Sequence, residues 1–253
     1  MNRPLLTSGA PTRRWLSDRD PRLRILAALA FAGATVSLFS LPALLLALGI
    51  ALGTAFAAGL PARRTLRRLL ALEGFMLVLL ILLPFSVAGT PWLSLGPLQA
   101  SHEGLLLATQ ILLRANAIVL MLLALLGTLE PATLGHALGR LRVPEKLVHL
   151  FLFTVRYIDV LDAEFMRLRQ AMRARAFVPR SNRHSWNSFG WLIGMLLVRS
   201  LERSERILAA MKCRGFDGRL YLLEDYRWRA QDSLHALAFG FLLAAILVLE
   251  ALQ

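Results

Sequence analysis

The sequence is that of an all-α protein: a polytopic membrane bundle of about five transmembrane helices with a cytoplasmic domain of long amphipathic helices. Three observations carry that expectation. From Ile25 to Ala62 there is no charged side chain, and as one helix this run would be roughly 57 Å long, nearly twice the ~30 Å of a bilayer's hydrocarbon core. The chain is 57% hydrophobic with net charge +13 and mean hydropathy +0.57, yet its arginines cluster beside the apolar runs as cytoplasmic membrane flanks do. From Glu130 the pattern turns into about a hundred charged, amphipathic residues.

The N-terminal arm, residues 1–24, carries Arg3, Arg13, Arg14, Arg19, Arg22 and Arg24. It reads as cytoplasmic and lacks the short apolar segment and small-residue site of a cleavable signal peptide. Residues 25–129 hold the first four spans. The uncharged run must turn back, and Ser40-Leu41-Pro42 is the natural corner, giving spans near 25–40 and 42–60. Gly33, Ala34, Gly49 and Gly53 offer small faces for helix approach. After Arg63, Arg64, Arg67 and Arg68 a third span covers about Leu69 to Val87. The segment Ala88 to Glu103, with Gly89, Pro91, Gly96 and Pro97 but no Lys or Arg, is expected outside. A fourth span, Leu105 to Leu129, contains Arg114, which faces the bundle, snorkels or serves function.

Residues 130–232 form the cytoplasmic domain. One long helix is expected after Pro144 to Phe177, where Leu147, Leu150, Thr154, Tyr157, Leu161, Phe165, Leu168 and Met172 recur at three- and four-residue steps. A second is expected from Ser188 to Arg214, apolar first and charged last. Residues 233–253 supply the fifth span, Ser233 to Leu249. The positive-inside rule then puts the C-terminus outside.

Several chemistries are missing. There is no G-x-x-x-x-G-K-[ST] loop, and the only lysines are Lys146 and Lys212, so this chain is not itself the ATPase of any assembly. Neither H-E-x-x-H nor G-x-S-x-G occurs. Cys213 has no internal partner, and the five histidines are scattered; His102-Glu103 is a weak metal candidate beside ordinary surface polarity. The positive charge sits beside apolar runs, not on a nucleic-acid footprint.

Two helix ends stand out. Met172-Arg173-Ala174-Arg175-Ala176-Phe177 precedes Pro179, and RSLERSERILAAMKCRGFDGR, Arg199 to Arg219, ends in Arg214-Gly215. Arginine in a last turn complements the helix dipole, and Gly215 suits a left-handed cap. Two such ends on long helices with apolar seams, in a chain without catalytic machinery, also fit docking on a partner, because a guanidinium is a rigid fork for carboxylates and carbonyls.

These residues resemble the transmembrane T components of energy-coupling-factor (ECF) ABC importers, within them the CbiQ-type cobalt branch. Asp20-Pro21-Arg22-Leu23-Arg24 looks like the family's N-terminal signature, and Arg156-Tyr157-Ile158-Asp159-Val160-Leu161 with Glu164 is similar to its first coupling helix. Ala174-Arg175-Ala176-Phe177 occupies the first Ala-Arg-Gly motif, and Met211 to Gly218 the second. Ala176 and Cys213 stand where the family has Gly and Ala. With Ala176 the first helix is expected to end less sharply, Pro179 doing the stopping.

The resemblance implies a non-catalytic scaffold that transmits ATP-driven motion to a substrate-binding membrane subunit for cobalt uptake. Arg175 and Arg214, with Ala174, Ala176, Cys213 and Gly215, would form the ATPase-coupling tips; Arg156, Glu164, Glu202 and Glu205 would support the coupling helices. The implied partners are two CbiO-like ATPases holding ATP and Mg²⁺, a CbiM-like subunit carrying Co²⁺ and a small CbiN-like accessory subunit, in a bacterial inner membrane. No metal or cofactor is expected on this chain. Nickel or a vitamin such as biotin remains an alternative cargo. A membrane enzyme acting on a phosphorylated lipid and a permease conducting alone are alternatives of other classes.

Overall fold

The computed structural model describes residues 20–87, 90–95, 98–217 and 230–251. The expectations for residues 1–19, Gly89, Gly96, Pro97, Gly218, Arg219 and Gln253 lie outside the described residues. The described residues form two compact units, one within residues 20–130 and 230–251 and the other within residues 131–217.

The first unit contains α1 (Pro21–Val36), α2 (Leu41–Ala57), α3 (Ala62–Ser86), a hairpin of β1 (Pro91–Leu95) and β2 (Leu98–Ser101), α4 (His102–Leu125) and α8 (Ala230–Ala251). Among the described residues the regular structure is helical apart from that antiparallel hairpin, which pairs Leu95 with Leu98 and is irregular between Pro91 and Leu93. It falls in the Ala88 to Glu103 segment between the third and fourth expected spans. Local chemistry sets the boundaries. Asp20 caps α1 by accepting from the Arg22 N–H at 2.9 Å, with Pro21 in the first turn. Helix α2 opens with Pro42 and closes through Gly59 at φ 70°, whose flanking bonds, Leu60 N–H to Ala55 O and Gly59 N–H to Phe56 O, make a Schellman cap.

The core lies among α1, α2, α4 and α8. Ala43, Ala47, Ala51 and Ala55 put a small side chain on one α2 face every fourth residue, all buried, and Ala117, Leu120, Met121 and Ala124 of α4 belong to the same cluster. Small facing side chains let the backbones approach, so dispersion holds the pair where lipid supplies no hydrophobic drive. The glycines expected to do this do not: a Cβ on Gly33, Gly49 or Gly53 would meet nothing within 4 Å, and all three lie on exposed faces. Alanine keeps helix propensity while remaining small, which suits it to the packed side.

Helices occupy all five places where spans are expected. Among the described residues only α4 is long and apolar enough to cross a bilayer by length and hydropathy; Leu41–Ala57, Met76–Ser86 and Ala236–Ala251 are shorter apolar helices. The outward faces are apolar as well, with Leu52 51%, Phe56 83% and Phe241 78% exposed, far from the surface of a soluble monomer.

The second unit contains α5 (Pro131–Arg140), α6 (Glu145–Ala174) and α7 (Arg183–Cys213). Helix α5 lies against α6 where Gly135 allows it: a Cβ there would sit 2.5 Å from Leu152 Cδ2. Helix α6 starts after Pro144 as expected but ends at Ala174, not Phe177. Helix α7 starts five residues before the expected Ser188, because Asn182 accepts from the Ser185 N–H at 2.8 Å and caps it. The two long helices meet at Glu164 and Arg199, with one cavity lined by Leu150 to Leu161 and Ser200 to Met211 and another by Leu168 to Val178 and His184 to Arg199.

Candidate functional site

The ends of α6 and α7 are built alike. After α6, Arg175 is the capping residue, Ala176 takes φ 57°, and Phe177 N–H reaches Met172 O at 3.1 Å while Ala176 N–H reaches Arg173 O at 3.0 Å. After α7, Arg214 is the capping residue, Gly215 takes φ 80°, and Phe216 N–H reaches Met211 O at 3.1 Å while Gly215 N–H reaches Lys212 O at 3.0 Å. Each is a complete Schellman motif. The expectation that Ala176 ends its helix less sharply is therefore corrected: alanine adopts the left-handed conformation itself, and Pro179 lies beyond the finished cap.

The motif leaves the same side chains projecting. Arg175 and Arg214 are exposed, as are Ala174, Ala176, Cys213 and Gly215, and neither guanidinium has a hydrogen bond or ion pair among the described residues. Each helix therefore carries one exposed guanidinium at its negative dipole end. The tips are not brought together. Counted from the Glu164–Arg199 contact, Arg175 lies 175 − 164 = 11 residues along α6 and Arg214 lies 214 − 199 = 15 residues along α7, about 16 Å and 22 Å at helical rise.

Of the supporting residues, Glu164 has a defined part. It is 7% exposed, accepts from Arg167 at 2.5 Å within α6 and from Arg199 across to α7. The Arg199 hydrogen bond, then the charges of Arg167, Arg199 and Arg203, hold its carboxyl below the usual carboxylate range against the opposing effect of burial. Glu202 makes only a loose 4.0 Å pair with Arg206. Arg156 and Glu205 are exposed without a partner among the described residues.

Sequence reasoning overlooked two things. Arg199 is the cross-helix partner of Glu164, and the two tips share one string, Met-[Arg/Lys]-x-Arg-[Ala/Gly]-Phe, at 172–177 and 211–216. Superposing the tips by their arginines reveals it. Phe177 also packs edge-on to Phe189 at 5.8 Å and beside His184, bracing the α6 tip on the start of α7.

Two arginines of the first unit, Arg24 and Arg114, serve the bundle. Arg24, 4% exposed, donates to Leu125 O at 2.6 Å and to Thr128, tying the start of α1 to the end of α4. Arg114 donates to Leu38 O and lies 5.5 Å over the Phe39 ring, while Gln110 donates to Phe39 O at 2.7 Å. Glu250 of α8 accepts from Phe39 N–H at 2.8 Å and Ser40 Oγ at 2.5 Å. The α1–α2 corner thus has its carbonyls and amides satisfied by α4 and α8. Glu103, half of the weak metal candidate, is engaged by Thr90 N–H at 2.8 Å.

The family model described as cobalt transport protein, CbiQ, matches residues 12–222. The chain is 29% identical to the cobalt transport protein CbiQ of Rhodobacter capsulatus over 52% of this chain and 54% of that protein, so the match spans about half of that relative. It is 26% identical to the ECF transporter transmembrane protein EcfT of Listeria innocua over 92% and 93%. It is also 24% identical, over 97% of its own length, to 33% of a Bifidobacterium longum protein described as an ABC transporter ATP-binding protein.

Proposed function

The chain belongs to the CbiQ cobalt transport protein family and is a membrane component of a transporter; from that premise we propose that it couples two cytoplasmic ATPases to a substrate-binding membrane subunit, with Co²⁺ as cargo. The observation that carries the reading is the pair of matching caps. Each ends a long helix in one exposed guanidinium, and neither guanidinium has a partner among the described residues. A groove on an ATPase that offers carboxylates or carbonyls would receive such a tip, and closure of the ATPases would move both helices. The Bifidobacterium relative supports the ATPase partner, since a chain-length match inside an ATP-binding protein is what fusion of two partners leaves behind.

In this reading α1, α2, α3, α4 and α8 are the five spans, with the N-terminus and the second unit cytoplasmic and the C-terminus outside. ATP and Mg²⁺ belong to the ATPases and Co²⁺ to the substrate-binding subunit, aided by a small accessory subunit. Nickel or a vitamin is the alternative cargo, because the tips would meet ATPases and not substrate.

Arg175→Glu and Arg214→Glu test the reading. Each places a carboxylate where a buried cation is required, a penalty of roughly 3–5 kcal/mol at a closed contact, or a hundredfold and more in affinity. Each variant is expected to insert in the membrane but lose ATP-dependent cobalt uptake, and the double variant to lose copurifying ATPases. Arg206→Glu, exposed on α7, is the control and keeps uptake. Normal uptake with retained ATPases in both tip variants would refute the coupling role.

A further inference from the structure

Among the described residues the chain passes between the two units once, from Glu130 to Pro131. Just ahead of that passage α4 does not end as α2, α6 and α7 do. Those helices close on residues with positive φ, Gly59, Ala176 and Gly215, which turn the backbone back onto its own carbonyls. No residue between Leu125 and Pro131 takes a positive φ. Gly127 N–H instead folds onto Leu122 O at 3.0 Å and Leu129 N–H onto Leu126 O at 3.0 Å. The Leu125 carbonyl, last of the helix, is taken by a side chain from another helix: Arg24 of α1 donates to it through Nη2 at 2.6 Å. The same nitrogen donates to the Thr128 hydroxyl in the exit turn, and that hydroxyl donates in turn to Ala124 O at 2.9 Å.

Arg24 and Thr128 are both buried. Taking a guanidinium out of water is costly, whereas a left-handed glycine closes a helix without any charge. What the arginine adds is a link. A cap made within one helix fixes that helix alone, but Arg24 fixes the end of α4 and its exit turn to the start of α1. Asp20 and Pro21 hold the first turn of α1 in place behind it, so the link is anchored on both sides. Terminal turns open at almost no cost when nothing holds them. Without Arg24, a displacement arriving along the backbone from Pro131 would be absorbed by unwinding residues 126–130.

We propose that Arg24 is a positioning residue for coupling: by tying the exit turn of α4 to α1, it makes motion of the second unit carry both helices instead of being lost in residues 126–130. The proposal rests on the coupling role above and adds the route by which motion enters the bundle.

The test uses the whole transporter in proteoliposomes, this chain with its ATPases and substrate-binding subunit. It reads ATP hydrolysed per Co²⁺ taken up, a ratio that the amount of folded protein does not change. Arg24→Gln removes the charge and shortens the reach. It is expected to retain the ATPases and their hydrolysis while uptake falls, so that the ratio rises about tenfold or more, the change that losing a charged hydrogen bond brings to a two-state balance. Thr128→Val removes one of the two acceptors and should raise the ratio about threefold. A positioning role also predicts rescue without arginine. In a Cys213→Ser background, Arg24→Cys and Thr128→Cys joined by a short bis-thiosulfonate should bring the ratio back to the parent's, and dithiothreitol should raise it again. An unchanged ratio in Arg24→Gln, or hydrolysis and uptake falling in step, overturns the proposal, as does a joined pair that hydrolyses ATP without uptake. If Arg24→Gln fails to insert, Thr128→Val and the joined pair decide by the same ratio. Such a failure while Arg175→Glu and Arg214→Glu still block uptake leaves the coupling tips standing; normal uptake by both tip variants overturns the coupling role and this proposal with it.

Discussion

Exchanging the left-handed residues of the two caps isolates what each contributes. An L-residue with a Cβ in the left-handed region carries roughly 1–2 kcal/mol of strain, and Ala176 at φ 57° is in that region. Ala176→Gly removes the strain but adds unfolded-state freedom costing about 0.5–1 kcal/mol. The net expectation is a gain of roughly 0.5–1 kcal/mol confined to the last turn of α6. Gly215→Ala runs the other way: its Cβ would meet nothing within 4 Å at φ 80°, so the cost is backbone strain of roughly 1–2 kcal/mol less about 0.5–1 kcal/mol for the unfolded-state freedom that alanine removes, a net loss of roughly 0.5–1 kcal/mol. Amide hydrogen exchange on peptides covering 172–177 and 211–216 reads both. A176G should slow exchange at Phe177 by about two- to fivefold, and G215A should speed exchange at Phe216 by about the same factor. Unchanged exchange in both, or opposite signs, would show that the helices do not end in these caps.

Other expectations follow from the packing. Glu164 has a depressed carboxyl pKa in the folded chain, so its contribution is complete above the ordinary carboxylate value and is lost as pH falls through the lowered one. Thermal stability of the detergent-solubilised protein should therefore drop more below about pH 4.5 than that of Glu164→Gln. Arg24→Ala should cost roughly 1.5–3 kcal/mol through the lost charged hydrogen bonds to Leu125 and Thr128, measured as a lower unfolding temperature in detergent. Gly104→Ala should lower that temperature sharply, because a Cβ would lie 2.7 Å from Leu83 O and Pro84 Cα, overpacking of about 1–3 kcal/mol or more; Gly53→Ala, facing open space, should leave it nearly unchanged.

The helices were legible wherever composition and caps agree. Asp20-Pro21, Ser40-Leu41-Pro42 and Pro144 each combine a stop and a start in a few residues, and the structure turns or starts a helix at each. Asn182 was missed because its capping bond competes in sequence with the apolar run that begins later, at Trp186. The packing face of α2 was misassigned because glycine and alanine both count as small, and only the three-dimensional partner tells which is covered. At the tips Arg175 and Arg214 are visible as motif residues. The left-handed turn at Ala176 is not visible there, since the backbone bonds of Phe177 impose it on a residue with no preference for it. Arg199 was hidden because its partner, Glu164, lies 35 residues away in the sequence.

The polar closure of the α1–α2 corner has a consequence in time. Phe39 and Ser40 are made early, whereas Glu250, which accepts from the Ser40 N–H and hydroxyl, follows 210 residues later. At roughly 5–20 residues per second of synthesis the corner waits about 10–40 s for that carboxylate. Arg114, 76 residues after Leu38, arrives in about 4–15 s at the same rate. The carbonyl side of the turn is therefore satisfied first and the amide side last, and in between the nascent hairpin depends on water or lipid headgroups for its unpaired N–H groups. A ribosome stalled short of Glu250 would hold a bundle whose first turn is still half open.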